Sequence, residues 1–235
     1  MIIVTGVSSG LGKAIAEAYL VAGERVIGIG RRNTIQHPYF TFHYCDLSDL
    51  DQIDELRMEW PVGPVTLINN AGIIGNIQRI SDQRDPDIDE VLTVNVSAPV
   101  KLTHKVYNLI ADKQTFTLVN ISSGAARKAI PSWASYCASK AALNMFSEVF
   151  AIEEAEKGNH PRVLCVAPGV VDTPMQEQIR TVSTEQFSAV ENFRNLKENN
   201  ELFSAEEAAH RLITLIGDVN KNEVFYDLRD VQLTQ

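Results

Sequence analysis

The chain has 235 residues, of which 45% are hydrophobic and 22% charged, and its formal net charge at pH 7 is −9. That content can build a sizeable core, while no apolar run is long enough to span a bilayer. The basic residues are scattered apart from Arg31-Arg32, which argues against a nucleic acid partner.

Met1 leads directly into Ile2–Thr5, a β-branched run that reads as a first strand and not as a targeting segment. Thr5-Gly6-Val7-Ser8-Ser9-Gly10-Leu11-Gly12 follows and opens a helical pattern, Leu11 to Ala22. Glycines there let the backbone turn tightly and approach a pyrophosphate, and the helix start offers unpaired N–H groups. The spacing Gly-x-x-x-Gly-x-Gly is a variant of the dinucleotide-binding pattern; a plain strand-to-helix turn is the simpler alternative. A second strand, Arg25 to Ile29, ends at Gly30-Arg31-Arg32. An acid at this place would hold the ribose 2′-hydroxyl of NAD, whereas arginine forks suit the 2′-phosphate of NADP. Two guanidiniums and no acid predict NADPH, with solvated loop arginines as the alternative.

Further strands are expected at Thr41 to Cys45, Thr66 to Asn69, Phe116 to Ile121, Arg162 to Ala167 and Glu223 to Phe225. Helical patterns between them include Ala134 to Lys157 and Ala205 to Ile216. Strands alternating with helices predict right-handed crossovers and an α/β fold, a parallel sheet covered on both faces. No repeat, low-complexity tract or linker marks a second domain. Met175 to Asn200 is polar and helix-prone, an excursion off the sheet. Cys45, Cys137 and Cys165 form neither a disulfide framework nor a zinc cluster, and a reducing cytoplasm fits them. His37, His43, His104, His160 and His210 lack ligand spacing, so no metal is expected.

Tyr136 and Lys140 stand four apart where the pattern turns helical, with Ser123 thirteen residues before the tyrosine. Residues at i and i+4 share a helical face, so the ammonium can sit beside the phenol and lower its pKa toward working pH. Such a phenol can exchange a proton with an alcohol or alkoxide. A surface tyrosine stacked on a lysine stem is the other reading of the pair alone.

Six motifs occur in order: the glycine loop, Asn69-Asn70-Ala71-Gly72, Asn95, Asn120-Ile121-Ser122-Ser123, the Tyr136–Lys140 pair, and Pro168-Gly169-Val170-Val171-Asp172-Thr173. Together they resemble the short-chain dehydrogenase/reductase family over nearly the whole chain. The resemblance implies a doubly wound, seven-stranded parallel sheet in a single Rossmann-type domain. It implies that Tyr136 is the general acid in reduction, that Lys140 tunes it and binds the nicotinamide ribose, and that Asn95 holds a water leading protons to Lys140. Ser123, which keeps the family's spacing to the tyrosine, would polarise the substrate. Cofactor contacts are implied for Gly6, Ser8, Ser9, Gly10, Leu11 and Gly12 at the phosphates, and for Arg31 and Arg32 at the 2′-phosphate. Asp46 and Leu47 would face the adenine, and Asn70, Ala71 and Gly72 would pack beneath the cofactor. Pro168, Gly169, Val171 and Thr173 complete the set, the threonine on the carboxamide. A helix N-cap remains open for Asp46 and a helix-bending role for Asn95.

The second half is closer still to the benzil reductases of the sepiapterin-reductase-like branch, chiefly through Ala167 to Arg180. That likeness implies NADPH-dependent reduction of hydrophobic ketones or 1,2-diketones, with residues 175–200 as a substrate lid. Trp133, Met175 and Phe187 are candidate pocket walls. Aligning Phe225-Tyr226 with sepiapterin reductases puts Val224 where a pterin-anchoring acid belongs, with Glu223 and Asp227 facing elsewhere. A 3-oxoacyl thioester reductase, a sepiapterin reductase and a non-catalytic NADPH sensor are the rival readings. A homodimer or homotetramer is implied by the resemblance.

Overall fold

Seven short apolar runs pair into one sheet in the computed structural model, which describes residues 1–58, 63–221 and 223–233. The strands are β1 (Ile2–Thr5), β2 (Val26–Gly30), β3 (Phe40–Tyr44), β4 (Val65–Asn69), β5 (Phe116–Ile121), β6 (Arg162–Ala167) and β7 (Phe225–Asp227). All neighbours are parallel, in the order β3-β2-β1-β4-β5-β6-β7. The helices are α1 (Gly10–Val21), α2 (Leu50–Glu55), α3 (Asp85–Leu92), α4 (Ala98–Leu109), α5 (Ala134–Glu156), α6 (Pro174–Thr181), α7 (Val190–Glu198) and α8 (Ala205–Gly217). Among the described residues, none of them is long and apolar enough to cross a membrane.

Successive strand residues point to opposite faces, and here both faces are apolar. Val4, Ile68 and Val119 pack with Ile15 of α1 and Leu212 of α8. Their chain neighbours Ile3, Leu67 and Leu118 pack with Ile53 of α2 and Leu102 of α4 on the other side. This double burial explains why the central strands read as continuous hydrophobic runs. The chain leaves β1 toward β2 on one side and resumes at β4 on the other. The crevice at that reversal, beyond the strands' C-terminal ends, is where ligands bind in open parallel sheets.

Most element bounds fall within a residue of expectation, and the largest difference among the strands is at the last one. The last strand lies at Phe225–Asp227 and not at Glu223 to Phe225. Its register pairs Cys165 with Phe225 and Ala167 with Asp227, because β6 is already engaged at the Val224 carbonyl. Asp227 therefore reaches the rim of the crevice. The excursion after β6 is built of α6 and α7, whose Ile179, Phe187 and Val190 pack on Trp133 and Ile74 in a small core of their own. Asp172 ties both helices to the loop after β6, accepting from Arg180 at 3.4 Å and from Lys197 at 2.5 Å.

The turn from β1 into α1 has two positions that only glycine fits. Gly6 has φ +74°, in the left-handed region. At Gly12 a Cβ would stand 2.2 Å from Asn70 Nδ2 and 2.4 Å from the Gly6 carbonyl oxygen. Gly12→Ala must push α1 away from β4, and urea denaturation is expected to show a loss of about 1–3 kcal/mol.

Candidate active site

A cleft of about 720 Å³ runs along the C-terminal ends of the strands. Every residue expected at the catalytic or cofactor site lines it except Gly12 and Asn95.

At one end the cleft meets the start of α1. Ser9 caps that helix without a side-chain hydrogen bond, and its first turn holds no acid. Its leading N–H groups are thus left for an anion, aided by the helix dipole. Thr5 Oγ1 accepts from the N–H groups of Asn70 at 3.0 Å and Ala71 at 2.9 Å, fixing the loop after β4 against β1. The Thr34 hydroxyl donates to the Ser8 carbonyl at 3.2 Å and so pins the arginine loop to the glycine loop. Arg31 lies 3.8 Å from the Asp46 carboxylate. Burial opposes ionisation of Asp46, but hydrogen bonds from Ser48 and the charge of Arg31 outweigh it and hold the carboxyl below its ordinary value. Asp46 is not the cap of the next helix. Asp49 fills that place by accepting from Asp51 N, and Asp46 instead closes a local turn onto Ser48.

At the other end, β5 delivers two serines with different fates. The Ser122 hydroxyl donates to Asn144 Oδ1, into the protein. Ser123 has extended backbone, and its Oγ accepts from Ala125 N at 3.1 Å. Tyr136 and Lys140 occupy the first turns of α5 and are buried. Lys140 Nζ donates to the Ile121 carbonyl at 2.9 Å and lies 5.7 Å from the Tyr136 ring centroid.

Asn95 sits in a π-helical turn, Thr93–Ser97, between α3 and α4. Such widened turns recur at functional sites. Its Oδ1 accepts from Ile73 N at 2.9 Å, and its Nδ2 donates to the Ile73 carbonyl at 2.8 Å and to Ser139 Oγ at 3.0 Å. A Cβ on Gly72 would lie 3.2 Å from Asn95 Oδ1 and 3.3 Å from Lys140 Nζ, so both groups converge on one backbone position. Beyond Tyr136 the wall is largely apolar, with Ile74, Ile130, Trp133, Met175, Ile179 and Phe193, and Gln176 and Gln178 of α6 join it. Phe187 is not part of it. That ring is fully buried behind Trp133, with centroids 5.2 Å apart.

The sequence profile of the short chain dehydrogenases matches residues 1–183. The chain belongs to the short-chain dehydrogenase family. It is therefore an oxidoreductase. Benzil reductase ((S)-benzoin forming) of Bacillus subtilis is 34% identical, over 97% of this chain and 98% of that protein. The enzyme of the same name from Bacillus cereus is also 34% identical, over 92% and 93%. Among solved structures, a short chain dehydrogenase/reductase of Saccharomyces cerevisiae superposes with a TM-score of 0.84 at 27% identity, over 97% of this chain and 96% of that one.

The electrostatics of this short-chain dehydrogenase correct one expectation. Lys140 was expected to draw the phenol down. Burial instead pushes Tyr136 up to about 12, and the nearby Ser123 hydroxyl offsets only part of the shift. Burial also pushes the Lys140 ammonium down to about 8, and its contact is with a carbonyl, not with the phenol. Asp227 is a second correction. It lines the cleft, with Arg229 donating to both of its oxygens at 2.9 and 2.6 Å. Two structural partners escaped the sequence reading, Thr5 and Ser139. Each is an ordinary hydroxyl in sequence, and only the fold brings it to its acceptor or donor.

The lowered Lys140 value has a sign for stability. The unfolded lysine, near 10.5, binds its proton more tightly than the folded one, at about 8. The penalty is full below pH 8, and stability rises with pH between those values. Wild type should gain about 1 kcal/mol over Lys140→Met between pH 7 and pH 9, read by urea denaturation at each pH.

Proposed function

We propose that the protein is an NADPH-dependent carbonyl reductase that converts one carbonyl of small hydrophobic ketones or benzil-like 1,2-diketones to an alcohol. The observation that carries this reading is the placement of Tyr136, Ser123 and Lys140 together on the lining of one cleft whose further wall is largely apolar. Identity to two Bacillus benzil reductases along almost the full chain supports the substrate class.

The residues present fit a dinucleotide phosphate. Gly6 and Gly12 let the glycine loop pack closely on Asn70 and Ala71, so that the start of α1, uncapped by any side chain, reaches the cleft where Gly6, Ser8, Ser9 and Gly10 line it. Arg31 and Arg32 at the rim supply the charge for a 2′-phosphate, with Asp46 and Leu47 beside the adenine. Asn70, Ala71 and Gly72 form the floor, and Pro168, Gly169, Val171 and Thr173 the side toward the nicotinamide. When bound, the reduced nicotinamide supplies hydride to the carbonyl carbon.

The protein's own part is to manage the oxygen. Ser123 and Tyr136 donate hydrogen bonds to it as the carbonyl π-electrons collect there, and the phenolic proton completes the alcohol. A phenol held protonated by burial is the right form for this task. Lys140 steadies the phenolate left behind, and a water on the remaining lone pair of Asn95 Oδ1 returns the proton through it. The α6–α7 segment serves as the lid that sheds water from the reacting pair.

A pterin anchor has less support. Val224 packs toward the core, and the Asp227 carboxylate is occupied by Arg229. A homodimer or homotetramer suits the exposed stripe Met145, Val149 and Ile152 on α5, which repeats at helical spacing.

Tyr136→Phe is expected to lower kcat for benzil reduction by about 10²–10⁴ while NADPH still binds, as followed by nicotinamide fluorescence. Activity close to wild type would remove the acid from the scheme. Arg31→Asp should shift the kcat/KM preference from NADPH toward NADH by about tenfold or more, measured with one ketone and both cofactors. An unchanged preference would refute the phosphate site.

A further inference from the structure

Three polar side chains of α5 meet the end of β5 along one stripe. Lys140, Asn144 and Ser147 stand at i, i+4 and i+7, a spacing that puts them on one helical face. Each meets a successive residue of the strand end. Asn120 Nδ2 donates to Ser147 Oγ at 2.9 Å, Lys140 Nζ donates to the Ile121 carbonyl at 2.9 Å, and the Ser122 hydroxyl donates to Asn144 Oδ1. Three rungs therefore bind α5 along the chain that leads to Ser123.

The last rung lies where the sheet gives out. Pairing of β5 with β6 ends at Ile121 opposite Val166, and the Ser122 N–H adds a final bond to the Val166 carbonyl at 2.8 Å. Ser123 stands one residue further on, with extended backbone and its Oγ accepting from Ala125 N. Asn144 is itself braced from β6, where Cys165 Sγ donates to the same Oδ1 at 3.2 Å. Burial pushes the Cys165 thiol up, which keeps it a donor. Ser122 and Cys165 are both buried, so one carboxamide oxygen gathers β5 and β6 onto α5, one turn beyond Lys140. Asn144 does not line the cleft. A group that must reach a reacting oxygen loses much of its effect when displaced by about 1 Å.

We propose that Asn144 is a positioning residue: through the Ser122 hydroxyl it sets where Ser123 stands against Tyr136, and so governs the hydrogen bond that Ser123 gives the substrate oxygen. Replacing Asn144 leaves the rungs at Asn120 and Ile121 in place. The inference rests on the reductase reading and adds to it a residue that never touches the substrate.

The test measures kcat/KM for benzil with NADPH in wild type, Asn144→Ala, Ser122→Ala, Ser123→Ala and the two double variants that carry Ser123→Ala. A residue acting only through Ser123 has nothing left to act on once that hydroxyl is gone, whereas a general packing defect lowers activity alike in both backgrounds. Asn144→Ala and Ser122→Ala are each expected to cost about tenfold with Ser123 present and less than about twofold without it. A difference between the backgrounds smaller than about threefold in either variant overturns the proposal. If Asn144→Ala does not fold, Ser122→Ala decides by the same threshold. If wild type reduces no carbonyl, the reductase reading falls and this inference with it. An active wild type whose losses are equal in both backgrounds sinks the inference alone.

Discussion

An ammonium taken out of water must be met by an acceptor, and the bond from Lys140 Nζ to the Ile121 carbonyl does this. It joins the second turn of α5 to the last residue of β5, immediately before Ser122 and Ser123. The serine and the tyrosine come from different elements, so their spacing depends on this cross-link. Ser139 adds a second brace, donating to the Tyr136 carbonyl at 2.8 Å while accepting from Asn95. Strand end, helix start and π-turn are thereby held as one unit around a phenol with little room to turn.

Beneath that unit runs a buried polar seam. Asn69 Nδ2 donates to Asn120 Oδ1 at 2.9 Å and to Thr103 Oγ1 at 3.1 Å, and Asn120 Nδ2 donates to Ser147 Oγ at 2.9 Å. Polar groups in a core are tolerated when paired, and they then specify a single arrangement where packed aliphatics would accept several. Here they set the register of β4 and β5 against α4 and α5. The dinucleotide end is fixed by the same device, with Thr5 gathering two N–H groups of the loop after β4. The two halves of the cleft are each stitched across the strands that carry them.

Much of this was legible in the chain. The central strands and α1, α5 and α8 follow from apolar periodicity, because a sheet buried on both faces leaves nothing else for those residues to do. β7 was displaced by two residues, since Glu223-Val224-Phe225 and Phe225-Tyr226-Asp227 alternate alike and only pairing with β6 chooses between them. Spacing separated Ser123 from Ser122, and the structure turns the two hydroxyls to different partners. Helical adjacency of Tyr136 and Lys140 was readable, but the balance between burial and charge was not. That balance depends on how much protein covers the pair, and it came out in favour of burial. Asp46 and Asp49 are both plausible caps in sequence, and backbone geometry alone assigns the role to Asp49.

The excursion of α6 and α7 leans on the rest of the site through side chains such as Phe187 and Phe193 against Trp133, while the Ser123 and Tyr136 hydroxyls stand on the loop after β5 and on α5. The wall beyond Tyr136 is therefore shared: Met175 and Ile179 come from α6 and Phe193 from α7, while Trp133 stands at the start of α5 itself. A change in α6 or α7 thus reaches Tyr136 through Trp133, whose ring meets the phenol edge to face at 5.6 Å.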